Sequence, residues 1–188
     1  MKDKLIERLD ILWEKLLDTD LKRTQGINQY IFDYDPKYEL LVRSRIKDIV
    51  NDPNLAAQNK FIKEYDLYEL LLAEIEADNL LEAMFAHEKA NGPQRFLKDL
   101  NSYINPDRIL NKMKENLAEH NIIFVTGVGK AYPFISANTA LGKLASNIST
   151  DIPVLLFFPG EYNEMYMQLF NRLEPNNYYR AKRIVGDL

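Results

Sequence analysis

A chain of 188 residues with 46% hydrophobic side chains suits one domain with a single sizeable core, so we predict one domain over residues 1–188. Its formal net charge of −4 gives no global signature of nucleic-acid binding. The absence of cysteine excludes disulfides and thiolate metal sites. No apolar run approaches ~18 residues, so we expect no membrane-spanning helix and a cytoplasmic protein.

The N-terminal segment, residues 1–20, contains a predicted amphipathic helix over Met1–Asp18. Leucines recur at helical spacing along one face, while Lys, Glu, Arg and Asp occupy the other face. Such an apolar face either packs on the protein's own core or lies in the groove of a partner protein. Leu12 and Trp13 are therefore candidate partner-binding residues.

A first strand is predicted at Tyr30–Phe32, and a helix follows from about Lys37 to Val50. Asp35 fits the N-cap of that helix, and Pro36 fits its first turn. Asp33 and Asp35 would repel a phosphate but could hold a divalent metal. A helix cap and a solvated loop explain both carboxylates more simply, so we predict no metal site.

A second strand is predicted at Phe61–Tyr65, directly before a helix over Leu67–Ala77. Asp66, between them, resembles the acidic end of a Walker B strand, but it fits the N-cap of the helix equally well. Glu69 three residues later completes a pair similar to a capping box, and we favour the cap. Further helices are predicted at about Leu80–Asn91, at Phe96–Tyr103 and from Asn105 up to the next strand.

The stretch Asn121–Phe134, NIIFVTGVGKAYPF, is the most informative part of the chain. The apolar run Ile122–Val125 is typical of a strand buried on both faces. Glycines directly after it let the backbone turn through φ values that a side chain would forbid. Ligands of open α/β sheets bind at the carboxyl ends of central strands, so this loop provides the candidate site residues Thr126, Gly127, Gly129, Lys130 and Tyr132.

The same loop resembles a Walker phosphate loop but departs from it at two positions. The Walker pattern requires glycine at position 124 and a hydroxyl at position 131, where this chain has Phe124 and Ala131. A G-x-S-x-G elbow is also absent, and no cysteine can act as a nucleophile. We therefore predict no catalytic residue, no nucleotide at this loop and no bound cofactor.

The remaining segments extend the alternation of helices and strands. We predict an α/β fold: a mostly parallel sheet of about five strands flanked by helices. The predicted segments are a helix at Asn138–Ile148, a buried strand at Ile152–Phe158 stopped by Pro159-Gly160, a short helix or irregular segment at Glu161–Leu173, and an edge strand at Tyr178–Val185.

The last predicted strand carries an aromatic and basic cluster. Tyr178, Tyr179 and Arg180 are residue types enriched in interface hot spots, which makes them candidate partner-binding residues. Together with Lys182 and Arg183 they could also stack on bases and neutralise phosphates, so direct nucleic-acid binding stays open. The simpler alternative is an edge strand whose charges discourage aggregation.

Four segments, TGVGKAYPF, VLLFFPGEY, LFNRL and NYYRAKRIV, resemble the BrxB family of bacteriophage-exclusion (BREX) defence systems. The resemblance extends upstream to YIFDYDP and IKEYDLYELL, and so covers nearly the whole chain. It implies a small single-domain protein encoded beside a large ATPase, a DNA methyltransferase and a phosphatase-like protein, PglZ. The family has no established catalytic motif. The implied fold looks like a P-loop-type domain without intact nucleotide motifs.

Two classes of function are open. The first is a non-enzymatic assembly or adaptor subunit of a defence complex, with the PglZ-like protein as first candidate partner and the ATPase or methyltransferase as further ones. The second is a nucleotide- or metal-dependent enzyme with divergent motifs that acts on nucleic acid. The failure of each catalytic pattern favours the first class.

Overall fold

The computed structural model describes residues 1–18, 21, 28–114, 117, 120–177 and 180–188. Its helices are α1 (Lys2–Asp18), α2 (Glu39–Val50), α3 (Pro53–Ala57), α4 (Leu67–Ala77), α5 (Leu81–Asn91), α6 (Pro93–Tyr103), α7 (Pro106–Asn111), α8 (Val128–Ala131) and α9 (Ala137–Asn147). Its strands are β1 (Gln29–Tyr34), β2 (Ile62–Asp66), β3 (Ile122–Thr126), β4 (Val154–Tyr162), β5 (Tyr166–Leu169), β6 (Asn176–Asn177) and β7 (Lys182–Arg183). Short 3-10 turns occupy Pro36–Tyr38 and Lys112–Lys114.

The sheet has the strand order β2-β3-β4-β1-β7, and every pair along this path is parallel. Ile123 lies opposite Val154 in the β3–β4 pair, and Ile31 lies opposite Leu156 in the β1–β4 pair. Strands β5 and β6 add an antiparallel extension beyond β4. The predicted α/β fold with a mostly parallel sheet is confirmed.

Helices cover both faces of the sheet because successive side chains of each strand point to opposite faces. One face packs against α1, α2 and α3, and its centre is the aromatic group Phe32, Phe124 and Phe157. The other face packs against α4, α7, α8 and α9. No helix in the described ranges is long and apolar enough to cross a bilayer.

The region after the predicted buried strand Ile152–Phe158 differs from the sequence-based prediction. Pro159 and Gly160 do not stop the strand: β4 continues to Tyr162 and turns back as β5, where a short helix or irregular segment was predicted. Gly160 permits this hairpin, because a β-carbon there would lie 2.1 Å from the carbonyl oxygen of Gln168. The carbonyl of Pro159 accepts a hydrogen bond from the Phe170 N–H, at 2.8 Å.

The C-terminal strand is shorter than predicted but lies at an edge of the sheet, as expected. Its described part is Lys182–Arg183, which pairs in parallel with β1. Tyr178 and Tyr179, which the prediction also placed in this strand, lie outside the described residues.

Candidate functional site

The loop after β3 turns sharply at Gly127 and enters α8 at once. Gly127 has a φ of +73°, in the left-handed region that favours glycine. A β-carbon at this position would lie 2.1 Å from Oδ1 of Asp66, at the end of the neighbouring strand. Backbone conformation and space therefore both require glycine here.

Thr126 and Gly129 fix the two sides of the same loop. Thr126 is buried, and its hydroxyl donates to Oε1 of Glu64 at 2.7 Å. A β-carbon at Gly129 would lie 2.8 Å from Cε1 of Phe170, so the ring of the β5 hairpin packs directly on α8. The loop is thus held by β2 on one side and by the hairpin on the other.

Lys130 is bound by carboxylates of its own chain. Its ammonium lies 2.6 Å from Oδ2 of Asp66 and 3.7 Å from Oε1 of Glu69, and it also lies 5.4 Å from the ring centre of Tyr68. Asp66 accepts hydrogen bonds from the backbone N–H groups of Tyr68 and Glu69, which confirms it as the N-cap of α4. The Lys130 charge is therefore compensated before any ligand arrives.

A phosphate cradle requires a wide glycine-led loop with a free lysine. Here a single residue, Gly127, separates the end of β3 from the first residue of α8. The aromatic side chain of Phe124 is buried in the sheet at the position where the Walker pattern needs glycine. The geometry of this loop accordingly does not match a nucleotide-binding P-loop.

A cavity of about 370 Å³ lies beside this loop, between α8, the start of α9 and the β5 hairpin. A cavity of this size could admit a small molecule. Tyr132 lies at its rim with 43% of its surface exposed. No Lys, Arg or His of the described residues lines it, so it offers an anion no cationic side chain. Its lining residues are Val128, Tyr132, Ile135, Ser136, Ala137, Asn138, Phe158, Met167, Leu169, Leu173, Glu174 and Asn176.

Asp33 forms a buried polar centre that sequence reasoning missed. Its side chain is only 4% exposed, and its Oδ1 accepts hydrogen bonds from Arg8 Nη2 at 2.8 Å and from Arg183 Nε at 2.7 Å. Oδ2 accepts from Arg183 Nη2 at 2.7 Å and from the Tyr162 N–H at 3.2 Å. The prediction that Asp33 lies in a solvated loop is wrong, because β1 continues through Tyr34 and carries Asp33 into the sheet. With four donors on its two oxygens, Asp33 has a structural role.

Asp35 behaves as the sequence predicts. Its carboxylate accepts from the Lys37 N–H at 3.1 Å and so caps the turn Pro36–Tyr38. The hydrogen bond from the Lys37 side chain lowers the pKa of Asp35 below its ordinary value. One of the two arginines that hold Asp33 has a signal in the sequence, although nothing there links it to Asp33. Arg8 follows Leu5 by three residues and precedes Leu12 by four, on the apolar side of α1.

The candidate partner-binding residues lie in different environments. Leu12 is fully buried in the core, and the Trp13 indole N–H donates to Oδ2 of Asp52 at 2.7 Å. The apolar face of α1 therefore packs on the protein's own sheet. Arg180 is exposed, and its predicted neighbours Tyr178 and Tyr179 lie outside the described residues.

Comparisons with known proteins converge on one family. A family profile described as "BREX protein BrxB" matches residues 63–184. A protein of that name from Bacillus cereus (strain H3081.97) is 34% identical over 97% of this chain and 98% of its own length. Another, from Escherichia coli O9:H4 (strain HS), is 27% identical over 100% of this chain and 95% of its own length. No solved structure matches the chain, and the likeness to P-loop domains is not confirmed.

Proposed function

The chain belongs to the BrxB family of BREX bacteriophage-defence proteins, and from this premise we propose that it acts as a non-enzymatic assembly subunit of its defence complex. In this function the protein holds other components together and carries out no chemical step of its own. Its first candidate partner is the PglZ-like protein of the same system, and the large ATPase and the methyltransferase are further ones.

The ion pair between Lys130 and Asp66 is the observation that carries this proposal. In an open α/β sheet the loop after a central strand is the usual ligand site. Here its lysine contacts Asp66 at 2.6 Å and has Glu69 nearby. A nucleotide phosphate would have to displace one carboxylate and approach a second, which costs electrostatic energy instead of gaining it.

The C-terminal edge is the surface that we assign to the partner. Strand β7 is the last strand at that end of the sheet and pairs only with β1 among the described residues. An edge strand can pair with a foreign strand. In β7 the N–H of Arg183 donates to Oε1 of Glu164 at 3.3 Å, so a foreign strand would replace that side chain. Arg180 is exposed just before it, and Tyr178 and Tyr179 add two aromatic side chains of the kind enriched in hot spots.

Affinity purification tests the proposal. The tagged protein is expressed with the other genes of its defence system, and the co-purified proteins are identified by mass spectrometry. We expect the PglZ-like protein in stoichiometric amount, without dependence on added nucleotide. Recovery of the tagged protein alone, at protein concentrations above those in the cell, would contradict an assembly function.

The cavity beside Tyr132 favours one alternative, a divergent nucleotide- or metal-dependent enzyme acting on nucleic acid. It lies at the carboxyl edge of the central strands, where the active sites of α/β enzymes are found. The alternative predicts turnover of a nucleotide or a nucleic acid in the presence of Mg²⁺ or Mn²⁺. Substitution of Asn138 by Phe would fill part of the cavity without removing Ser136, the N-cap of α9. It should abolish such turnover while leaving partner binding unchanged.

A further inference from the structure

Strand β2 presents a free edge at the end of the sheet opposite to β7. Within the described residues it pairs only with β3. The Phe61 carbonyl accepts from the N–H groups of Asn121 and Ile122 and therefore faces β3. Because backbone groups alternate along a strand, those of Ile62 and Glu64 point away from β3. These outward groups are available to a further strand.

An open groove of about 670 Å³ runs along this edge. Arg43 and Lys47 of α2 form one wall, while Leu70 and Ala73 of α4 form the other. The side chains of β2 lie between the two walls, together with that of Lys112. The helices thus flank the strand edge without covering it, which leaves a channel in the plane of the sheet.

The net uncompensated charge in this groove is positive. Arg43, Lys47 and Lys63 form no salt bridge with any described residue, whereas Lys112 contacts Glu74. Arg43 and Lys47 are one helical turn apart and line the same wall.

The groove also contains three carboxylates. Asp66 binds Lys130, and Glu69 lies 3.7 Å from the same ammonium, so one lysine serves both. Glu64 accepts the Thr126 hydroxyl, a neutral donor, and keeps its negative charge. The three cations without a salt bridge still outnumber the two negative charges that are left over. A protein with a net charge of −4 therefore carries a local cationic strip along an open strand edge.

These features select one kind of occupant. A second copy of this chain, paired edge to edge, would place the same cations opposite each other, which is repulsive. A nucleic acid would leave the outward backbone groups of Ile62 and Glu64 without the ladder that an extended peptide forms. An extended segment rich in Asp and Glu satisfies both the backbone groups and the cations.

We propose that the β2 edge binds an extended acidic segment of a partner protein by strand addition, with Arg43, Lys47 and Lys63 selecting its charge. This surface goes beyond the assembly function proposed above, because it lies at the other end of the sheet from Arg180. A subunit with two such edges can contact two protein segments at once.

Peptide selection tests the proposal on the full-length protein. A displayed library of random dodecapeptides is selected on wild type and depleted on the double variant Arg43→Glu/Lys47→Glu. We expect enriched peptides to be acidic and free of proline, and to bind the double variant roughly tenfold or more weakly in fluorescence anisotropy. The matched control, Lys89→Glu/Lys98→Glu, makes the same charge change on α5 and α6 and should bind like wild type. Equal urea midpoints exclude misfolding of either variant.

Backbone methylation separates strand addition from simple charge attraction. Two versions of the best peptide carry N-methyl groups on alternate residues, in opposite phase, and only one phase should lose binding. Equal binding of both versions, or enrichment without acidic bias, overturns the proposal. Displacement by oligothymidylate at equal concentration would assign the groove to nucleic acid instead. Dimers that dissociate in Arg43→Glu/Lys47→Glu would assign it to a second copy.

The experiment is independent of co-purification with the PglZ-like protein. If that protein binds and no acidic peptide is selected, the groove proposal is wrong and the assembly function stands. If acidic peptides bind through the groove and no protein of the system co-purifies, the assembly function is wrong and the groove proposal stands.

Discussion

The Asp33 carboxylate and the Arg183 guanidinium form a two-point ion pair, with Nε 2.7 Å from Oδ1 and Nη2 2.7 Å from Oδ2. This geometry is the strongest form of the arginine–carboxylate interaction. It fastens the C-terminal segment to β1, and Arg8 adds α1 to the same carboxylate. One side chain therefore holds together the two ends of the described structure.

Asp33→Asn should reduce the free energy of unfolding by about 3 kcal/mol, because it removes the buried counter-charge of Arg8 and leaves Arg183 only the exposed Asp187. Asp35→Asn is the matched control. Its partner Lys37 and its own side chain are both more than a third exposed, so it should cost less than about 1 kcal/mol. Urea unfolding at neutral pH measures both changes. Equal midpoints for the two variants would show that Asp33 contributes no more than a surface pair.

Gly127→Ala should destabilise the fold by well over ~1 kcal/mol, because a positive φ and the clash with Asp66 act together. Gly142→Ala, inside α9, is the control: nothing lies within 4 Å of its β-carbon position. Alanine there should stabilise the protein by up to about 1 kcal/mol, because it is the better helix former.

The stability of Gly129→Ala should fall between those of the other two variants. The Phe170 ring has to move and Pro159 Cγ, at 3.3 Å, has to give slightly, but the backbone φ is not positive. Chemical denaturation of the three variants gives the order of stability. A Gly127→Ala protein as stable as Gly142→Ala would mean that the loop can relax away from Asp66.

Titration calorimetry with ATP or GTP and Mg²⁺ should show no binding at the loop after β3. The reason is that Lys130 is already paired with Asp66 and that a one-turn helix replaces the phosphate loop. Lys130→Ala should therefore leave the calorimetric trace flat and lower stability. A micromolar dissociation constant that is lost in Lys130→Ala would contradict this prediction.

Acid should weaken the contact between α4 and α7 through Asp78. Hydrogen bonds from Arg108 and Tyr103 lower the pKa of Asp78 from 3.8 to about 2. Because the folded pKa is depressed, the stabilisation is fully present above about pH 5, well above the ordinary pKa of 3.8, and is lost as the pH falls towards 2. The difference in unfolding free energy between wild type and Asp78→Asn should be constant from neutral pH to about pH 5. It should then shrink between pH 4 and 2. A difference that stays constant to pH 2 would show that the ion pair does not stabilise the fold.

Tyr179→Ala with Arg180→Ala should weaken association with the PglZ-like partner by about 2 kcal/mol or more if the C-terminal edge contains the hot spot. The substitutions should leave the unfolding midpoint unchanged. Deletion of residues 1–18 should instead lower stability, since Leu12 and its neighbouring leucines are buried in the core. If the double variant co-purifies with its partner as well as wild type does, the interface lies on another surface.

The strands and helices that follow a strong local pattern were predictable from the sequence. Ile122–Val125 is a buried strand, as its apolar run indicates. Leu67–Ala77 begins and ends at its predicted residues, and its first residue is fixed by short-range hydrogen bonds to Asp66. The hairpin after β4 was not predictable, because the glycine at 160 reads as a strand end. In the structure Gly160 leaves room for the carbonyl of Gln168. This contact exists only once β5 pairs with β4, which no local pattern of residues predicts.

The site residues divide in the same way. The turn at Gly127 is visible in the sequence, since glycine after an apolar strand points to a special backbone conformation. The sequence does not show that Asp66 is the partner of Lys130. The two side chains meet only because the parallel register of β2 and β3 places Asp66 opposite Thr126. The ion pairs of Asp33 could not be predicted for the same reason. Its partners Arg8 and Arg183 come from opposite ends of the described structure and meet only in the folded protein.

The position of β1 between β4 and β7 has a consequence for folding during synthesis. Both neighbours of β1 are made much later than β1 itself, and such non-local pairings form slowly because distant segments must first meet. While the ribosome is still making the second half, α1 and β1 cannot reach their final packing and leave their leucines and Phe32 uncovered. We expect the nascent chain to need chaperone protection until the last strand emerges, and premature termination near β4 to yield an aggregation-prone product.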